Sequence, residues 1–221
     1  MRYFITGTDT GVGKTVATAA LAAACDGPVA ALKPLASGVK IGTQGDDAEL
    51  LGVATGTRPE VHMAWRLPLS PHRAALHAGK HARLDETVAW IRMREQETTF
   101  VEGVGGWRVP ISTRDEGFWI QDLAQALDWP VLIVAANRLG VLNHTLLTVD
   151  AVRRAGLEVA AVVLNHAWPA GPEDGPARIR NREDLELLLD GVPLLELNVV
   201  PILERRFLRM AGQPLISRLR S

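Results

Sequence analysis

The chain has 221 residues, of which 47% are hydrophobic and 22% are charged. This is ordinary for a globular protein and long enough to bury roughly 70% of the unfolded surface. Its 24 Lys and Arg against 25 Asp and Glu give a net charge of −1, so charge gives no case for nucleic-acid binding. No apolar run approaches the ~20 residues of a membrane span, the first strand begins too early for a signal peptide, and one cysteine excludes an internal disulfide. We therefore expect a single cytoplasmic domain over residues 1–221, with Cys25 as a core residue.

The first predicted element is a strand at Tyr3–Thr6, which leads through a turn rich in Gly and Thr into an Ala-rich helix after Lys14. A turn that ends at a helix N-terminus presents several backbone N–H groups to one anion. In such turns a lysine reaches the outer phosphates and a hydroxyl ligates Mg²⁺, which are the roles open to Lys14 and Thr15. The usual first glycine is replaced by Thr8, because Gly7 comes one position early. The turn predicts a nucleotide-binding phosphate loop with irregular spacing.

Further apolar runs alternate with helical patterns along the chain. Such alternation predicts an α/β fold, with a mainly parallel sheet covered by helices on both faces and ligands at the carboxyl ends of the strands. The remaining strands are predicted at Val29–Lys33, Thr99–Glu102, Val131–Ala135 and Val159–Asn165, with a weaker one at Leu194–Val200. Helices are predicted after Asp46, Asp85, Gly117, Asn143 and Glu183, and a surface loop at Ala167–Asn181.

Two charged residues stand where predicted strands end. Lys33 ends the second strand and Glu102 the third. A lysine at a strand end is more often solvated than catalytic, whereas a buried glutamate needs a cation or donor. Beside a phosphate loop that cation can be Mg²⁺, which prefers oxygen ligands. An aspartate of the Asp46-Asp47 pair could be a further ligand, although Asp46 could equally cap the helix that begins there.

Seven motifs identify the chain as a member of the dethiobiotin synthetases, which share the phosphate-loop NTPase fold. From Tyr3 to about Pro201, the chain resembles this family in the order and spacing of FITGTDTGVGKT, LKPLASG, DDAELL, SPHRAA, VEGVGGW, RLGVLNHTLLT and VVLN. The family also has the extra residue after its first glycine. The resemblance implies that 7,8-diaminononanoate, CO₂ and MgATP form dethiobiotin, ADP and phosphate through a carbamate and a mixed anhydride with phosphate.

The resemblance also implies residue roles. Lys14 and Lys33 would act on the phosphates and the carbamate, while Thr10 and Ser37 would bind the amine and carbamate end of the substrate. Mg²⁺ would be held by Thr15, Asp47 and Glu102. The nucleotide would contact Gly11, Val12, Gly13, Lys14, Thr15, Val16, Asp47, Glu102, Gly103, Val104, Gly105, Asn165, His166, Val200 and Pro201. From the residues alone, Asn165 would more often bind its own turn.

In the family the active site lies at a homodimer interface, where the neighbouring subunit binds the distant carboxylate of the substrate. The matching positions are Gly140, Val141, Leu142 and Asn143. Backbone N–H groups that precede a helix could receive this anion, but Asn143 could also be a plain helix N-cap. We assign no chemical role to His72 or His144.

Two other classes of protein are alternatives for this sequence. Switch ATPases of the partition and cell-division type share the fold, but usually carry a second lysine where this chain has Asp9. Amidoligases related to the cobyrinic acid synthetases normally carry a glutaminase domain with a nucleophilic cysteine, for which 221 residues with Cys25 alone leave no room.

Overall fold

The computed structural model describes residues 1–113, 117–167 and 175–220. Within these residues, six strands pair in parallel in the order β2-β5-β1-β6-β7-β8, which confirms the predicted parallel sheet. Two short strands, β3 and β4, pair separately. The strand bounds are β1 Arg2–Gly7, β2 Val29–Leu32, β3 Leu35–Ser37, β4 Met63–Trp65, β5 Thr98–Gly106, β6 Val131–Ala136, β7 Val159–Asn165 and β8 Leu194–Leu197.

Helices cover both faces of the main sheet. Consecutive strand residues point to opposite sides, so the apolar strands bury side chains on both faces. Phe4 of β1 belongs to one buried cluster and Ile5 to the other. The Ile5 cluster is completed by α1, α2 and α8, and the Phe4 cluster by the remaining helices. The helix bounds are α1 Lys14–Ala24, α2 Asp46–Thr55, α3 Pro71–Ala78, α4 Leu84–Arg92, α5 Ile120–Leu127, α6 Val141–Arg154, α7 Gly175–Leu188 and α8 Arg205–Leu219.

Several predicted boundaries were wrong. The weak strand predicted at Leu194–Val200 ends at Leu197, and the helix predicted after Gly117 begins at Ile120. Strand β5 continues four residues beyond Glu102, because its pairing with β1 resumes at Gly106 after a shift of register. Helix α6 begins at Val141 rather than after Asn143, since Gly140 occupies the N-cap position. Helix α7 already begins at Gly175, so the predicted loop over 167–181 is wrong for 175–181. The part of that loop at 168–174 lies outside the described residues.

Helix α8, which packs against α1, was not predicted from the sequence. Its buried residues Leu208, Gly212, Leu215 and Ile216 follow helical spacing. Pro214 and the many charged residues of the helix hide this pattern. At Gly212 the two helices approach so closely that a β-carbon would overlap the carbonyl of Ala20.

Helix α3 was missed although its ends carry recognisable signals. Ser70 occupies the N-cap position, Pro71 is the first helical residue, and Gly79 ends the helix in the left-handed conformation. Proline at the first position and glycine after the last are the usual asymmetry of helix ends. No helix among the described residues has the length and apolar composition needed to cross a membrane. Cys25 is buried, as predicted.

Candidate active site

The phosphate loop joins β1 to α1. Gly13 occupies the N-cap position of α1 with a φ of 96°, in the left-handed region that favours glycine. The Lys14 ammonium donates to the backbone carbonyl of Asp9 over 3.0 Å. Burial, together with the positive charge of Lys33, lowers the pKa of Lys14 to about 8. The loop therefore holds a buried amine beside the N-terminus of a helix.

The register of the sheet brings Lys33 and Glu102 together. Leu32 of β2 is paired with Val101 of β5, so Lys33 and Glu102 follow side by side on neighbouring parallel strands. Lys33 Nζ lies 2.7 Å from Glu102 Oε1 and also donates to the Gly103 carbonyl over 3.2 Å. Lys33 is 2% exposed and Glu102 1% exposed, so this is a buried ion pair rather than the solvated lysine that was the alternative.

Asp47 joins this pair from the first turn of α2. Its Oδ2 lies 2.8 Å from Lys33 Nζ. Although burial opposes ionisation of Asp47, the Lys33 ammonium and the Thr15 hydroxyl hold the pKa of this carboxyl below its usual value. Burial likewise disfavours the charged form of Lys33, but the charges of Glu102 and Asp47 outweigh it and raise the pKa of Lys33. Burial raises the pKa of the Glu102 carboxyl, although the Lys33 ammonium opposes that shift. The short contacts place the Lys33 ammonium between the carboxyl groups of Glu102 and Asp47.

Asp46, the neighbouring candidate, lies outside this cluster. It is exposed and is the first residue of α2, whose N-cap position is taken by Gly45. The capping role weighed for Asp46 is therefore wrong. Among the described residues, Asp47 is the one of the pair that contacts Lys33 and Thr15.

Three oxygens that the sequence predicts as metal ligands lie close to one another. Thr15 Oγ1 is 2.9 Å from Asp47 Oδ1 and 2.9 Å from Glu102 Oε1. Neighbouring ligands of an octahedral Mg²⁺ with bonds of 2.0–2.1 Å are also roughly 2.9 Å apart. Glu102 Oε2 is buried without a hydrogen-bond partner among the described residues. These residues fit Mg²⁺, which binds through one or two carboxylates and completes its shell with water and phosphate oxygens.

No group of three or more His, Cys, Asp or Glu side chains in residues 1–113, 117–167 and 175–220 is arranged for a metal ion. A site built from protein side chains alone, such as a structural zinc centre, is therefore not found in this part of the chain. Two carboxylates and a hydroxyl form the arrangement that a phosphate-bound Mg²⁺ needs.

Thr10 and Ser37 lie in two different cavities beside the cluster. Thr10 lines a cavity of about 350 Å³ with Trp107 of the β5–α5 connection and Leu147 of α6. Ser37 lines a cavity of about 150 Å³ together with Asp47. A larger cleft of about 950 Å³ between α4 and α5 contains no phosphate-loop residue, so its volume does not mark the predicted site.

Asn165, at the end of β7, lies against the phosphate loop. Its amide nitrogen donates to the Val12 carbonyl over 2.9 Å, and its oxygen accepts from the backbone N–H of Ala167 at 3.1 Å. The contact with Ala167 is the one expected from the alternative that Asn165 binds its own turn. His166, the next residue, contacts Asn137 through one ring nitrogen and Glu196 through the other, each over 3.1 Å.

The other predicted residues divide into four groups. Gly103, Val104 and Gly105 lie in the last part of β5, and Gly105 approaches Thr10. Gly140, Val141, Leu142 and Asn143 form the start of α6, and there Asn143 is an exposed third residue of the helix, so the alternative that it is the N-cap is wrong. Gly11 lies in the phosphate loop and Val16 in the first turn of α1, while Val200 and Pro201 follow β8.

The sequence analysis missed a polar cluster behind His166. Asn137, buried directly after β6, accepts a hydrogen bond of 2.8 Å from the amide of Asn181 in α7 and contacts His166. Asn181 fell in the predicted loop, so it was not considered. The usable signal was Asn137 itself, a polar residue one position after an apolar strand. A second missed contact joins Arg138 to Asp9 at 3.3 Å.

The comparisons with known proteins identify the family of the chain. Residues 1–204 match a protein family described as an AAA domain. An ATP-dependent dethiobiotin synthetase BioD from Rhodococcus erythropolis is 42% identical over 202 residues, which cover 88% of this chain and 86% of that protein. A protein of the same name from Pseudomonas aeruginosa is 38% identical, over 91% of this chain and 90% of that protein. Another from Anaeromyxobacter dehalogenans is also 38% identical, over 92% of each chain.

Solved structures with the same fold are phosphate-loop ATPases. A ParA family ATPase from Chlorobium tepidum has a TM-score of 0.51 at 10% identity, covering 100% of this chain and 97% of that one. The MinC:MinD cell division protein complex of Aquifex aeolicus gives 0.55 at 15% identity, with coverages of 99% and 93%. Such low identities show the fold alone, which confirms the predicted fold class.

Proposed function

Because the chain belongs to the ATP-dependent dethiobiotin synthetases, we propose that it converts 7,8-diaminononanoate, CO₂ and ATP into dethiobiotin, ADP and phosphate. It is then a ligase of biotin biosynthesis that forms carbon–nitrogen bonds. Three steps account for the atoms. One amine adds to CO₂ and loses a proton, a carbamate oxygen takes the γ-phosphoryl group, and the second amine displaces phosphate to close the cyclic urea.

The cations of the site serve the second step, in which two anions must approach each other. Lys14 bridges the phosphates and Lys33 stabilises the carbamate and the group in transfer. Such positioning and charge neutralisation supply most of the catalysis of phosphoryl transfer, and no protein nucleophile is needed. The proposal is supported by the two ammonium groups, which are both buried beside the phosphate loop.

We propose that Thr15, Asp47 and Glu102 hold Mg²⁺. The ion would neutralise charge on the phosphate oxygens. The 2.9 Å separations of the three oxygens and the unpaired Glu102 Oε2 support this assignment. The loop backbone from Gly11 to Val16 would wrap the phosphates, with Gly103–Gly105 beside them.

The adenine base would lie near the ends of β7 and β8. Asn165 and His166 would border it on one side, and Val200 and Pro201 on the other. One of the two amide hydrogens of Asn165 is used by the Val12 carbonyl, which leaves the second for the edge of a base.

The diamine would bind between Thr10 and Ser37, and its distant carboxylate would reach the start of α6 in a second copy of the chain. Asn143 is exposed there, and Leu147, on the same helix face four residues later, is 61% exposed. Leu147 also lines the Thr10 cavity, so a partner that covered this face would complete the cavity. We propose a cytoplasmic homodimer of single-domain subunits on this basis.

The observation that carries the proposal beyond family membership is the buried Lys33 between Glu102 and Asp47, beside Thr15 of the phosphate loop. The test incubates the purified protein with ATP, Mg²⁺, bicarbonate as a source of CO₂, and 7,8-diaminononanoate. We expect phosphate and dethiobiotin in equal amounts. The folded Lys33→Met variant should form neither, whereas Lys80→Met, which removes an exposed ammonium, should behave as wild type.

If phosphate is released at the same rate with and without the diamine, and no cyclic urea forms, the proposal is contradicted and a switch ATPase is favoured. The contacts of Asp9 count against that alternative, because its carbonyl binds Lys14 and its side chain pairs with Arg138. No lysine stands at the position that the switch ATPases usually use.

A further inference from the structure

The Lys33 ammonium lies against the same carboxylates that are proposed to hold Mg²⁺. Lys33 Nζ is 2.7 Å from Glu102 Oε1 and 2.8 Å from Asp47 Oδ2. Glu102 Oε1 is also the oxygen that lies 2.9 Å from Thr15 Oγ1. One cation therefore already contacts both carboxylates that a second cation would need.

We propose that Lys33 stands in for the metal in the ligand-free protein and is displaced towards the substrate when the metal and nucleotide bind. The inference rests on the proposed function for the identity of the metal ligands. It adds that a single side chain has two positions, on the carboxylates before binding and on the carbamate and phosphoryl group afterwards.

Electrostatics gives a reason for the first position. Glu102 is 1% exposed, and a buried carboxylate without a cation is strongly unfavourable. The ammonium neutralises the site until a nucleotide brings a divalent ion. Lysine suits this role because its charge is compact and its four-carbon stem is flexible.

Charge also gives a reason for the second position. A divalent cation competes with a monovalent one for the same oxygens, and the two cations repel each other at such short distances. The Gly103 carbonyl, the remaining acceptor of Lys33 over 3.2 Å, is neutral and does not by itself hold the ammonium in place. Metal binding therefore releases a positive charge at the moment when two anionic reactants enter the site.

The first test measures metal affinity without turnover. Mn²⁺, an oxygen-binding probe for this site, is titrated into wild type, Lys33→Met and Lys80→Met in the absence of nucleotide and followed by electron paramagnetic resonance. If Lys33 competes with the metal, Lys33→Met should bind Mn²⁺ at least about tenfold more tightly than wild type, because an unpaired buried carboxylate is left for the metal. Lys80→Met, which changes the overall charge equally, should match wild type. An affinity of Lys33→Met no greater than that of wild type would overturn the inference.

The second test uses the wild-type protein, so it stands even if Lys33→Met does not fold. Acetylation of lysines by an N-hydroxysuccinimide ester is followed by peptide mass spectrometry, with exposed Lys80 as the internal reference. Mg²⁺ alone, at a concentration that saturates the site, should speed modification of Lys33 relative to Lys80, because the ammonium leaves its carboxylate partners and no phosphate is present to receive it. A Lys33 rate that stays the same or falls would overturn the inference.

Neither readout depends on product formation. If wild type makes dethiobiotin but Lys33→Met fails to gain Mn²⁺ affinity, the proposed function stands and the displacement of Lys33 is wrong. If Mn²⁺ affinity rises as expected but no dethiobiotin forms, the cation exchange is real and the proposed reaction is wrong.

Discussion

The side-chain amide of Asn165 fills the space that a β-carbon on Gly13 would occupy. The same amide donates to the carbonyl of Val12 over 2.9 Å. Strand β7 is thereby joined to the phosphate loop at its tightest point, where Gly13 also has a φ of 96°.

This contact predicts that Gly13→Ala loses nucleotide affinity as well as stability. A left-handed alanine costs about 1–2 kcal/mol, and its β-carbon would also push against Asn165 and distort the loop. Gly27→Ala is the matched control, because Gly27 has a φ of 81° with nothing near its β-carbon position. We expect Gly27→Ala to lose stability but to keep its nucleotide affinity. Thermal unfolding measures the stability, and titration with a fluorescent ATP analogue measures the affinity.

In an Asn165→Ala background, which already lacks the proposed contact with the base, Gly13→Ala should lower nucleotide affinity less than it does in the wild type, since the steric conflict is removed. Equal nucleotide affinities for Gly13→Ala and Gly27→Ala would show that the contact with Asn165 does not matter.

The two neighbouring aspartates of α2 give a second prediction. Asp47→Asn should lower the rate of dethiobiotin formation by at least about a hundredfold, because metal-assisted charge stabilisation is worth several kcal/mol. Asp46→Asn should stay near wild type, since Asp46 is exposed. Both changes remove one carboxylate from the first turn of α2, so any general effect on the helix is shared.

Steady-state rates at saturating and limiting Mg²⁺ measure this difference. If both variants lose activity equally, Asp47 has no special part in binding the metal.

The exposed face of α6 predicts how the chain assembles. Leu147→Glu should shift the protein towards monomers in analytical ultracentrifugation and lower its activity, because a charge would be buried at the proposed interface. Leu187 of α7 is 83% exposed, so Leu187→Glu makes the same chemical change away from that face. We expect Leu187→Glu to sediment as wild type does.

A dimer that survives Leu147→Glu with full activity would show that this face is not the interface. The Thr10 cavity would then be completed without a partner.

His62 predicts a loss of stability in mild acid. Its Nε2 is buried without a hydrogen-bond partner among the described residues, and its ring lies 6.0 Å from that of Trp90. Burial lowers the pKa of His62 below its usual value. The negative charge of Glu86 opposes this shift, whereas the positive charges of Arg94 and Lys80 add to it. The unfolded chain therefore binds a proton as the pH falls through about 6.5, where the native His62 stays neutral.

The contribution of His62 to stability is thus present above pH 6.5 or so and is lost as the pH falls below that value. His62→Phe, which keeps a ring beside Trp90, should show a smaller decrease in unfolding temperature between neutral pH and pH 5. The unfolding temperatures are measured by circular dichroism. Equal decreases of the unfolding temperature in the wild type and in His62→Phe would show that His62 does not titrate in this range.

Much of the sheet could be predicted from the sequence because its strands are short apolar runs separated by helices. Val159–Asn165 agrees with the structure at both ends. The end of β5 could not be predicted in the same way. Glycines after Glu102 indicate a turn in local terms, and Gly105 does have a φ of 65°, yet the strand resumes its pairing with β1 at Gly106 after a shift of register.

The motifs around the phosphate loop, Lys33 and Glu102 could be found locally, but their mutual contacts could not. The 2.7 Å approach of Lys33 to Glu102 depends on the register between β2 and β5, which one sequence does not state. The cluster of Asn137, Asn181 and His166 depends on the docking of α7. The sequence predicted this helix only after Glu183, whereas α7 begins at Gly175. Asn181 was therefore not placed on the helix, and the cluster could not be predicted.

The close approach of α8 to α1 has a consequence for synthesis of the chain. Arg209 of α8 donates to the carbonyl of Ala23, 186 positions earlier, and Gly212 closes on Ala20. At the usual 5–20 residues per second, a ribosome needs about 10–40 s to make the intervening chain. For that time the alanine surface of α1 has no α8 to cover it. The helix that begins at the phosphate loop therefore receives α8 as a packing partner only after the chain between them has been made.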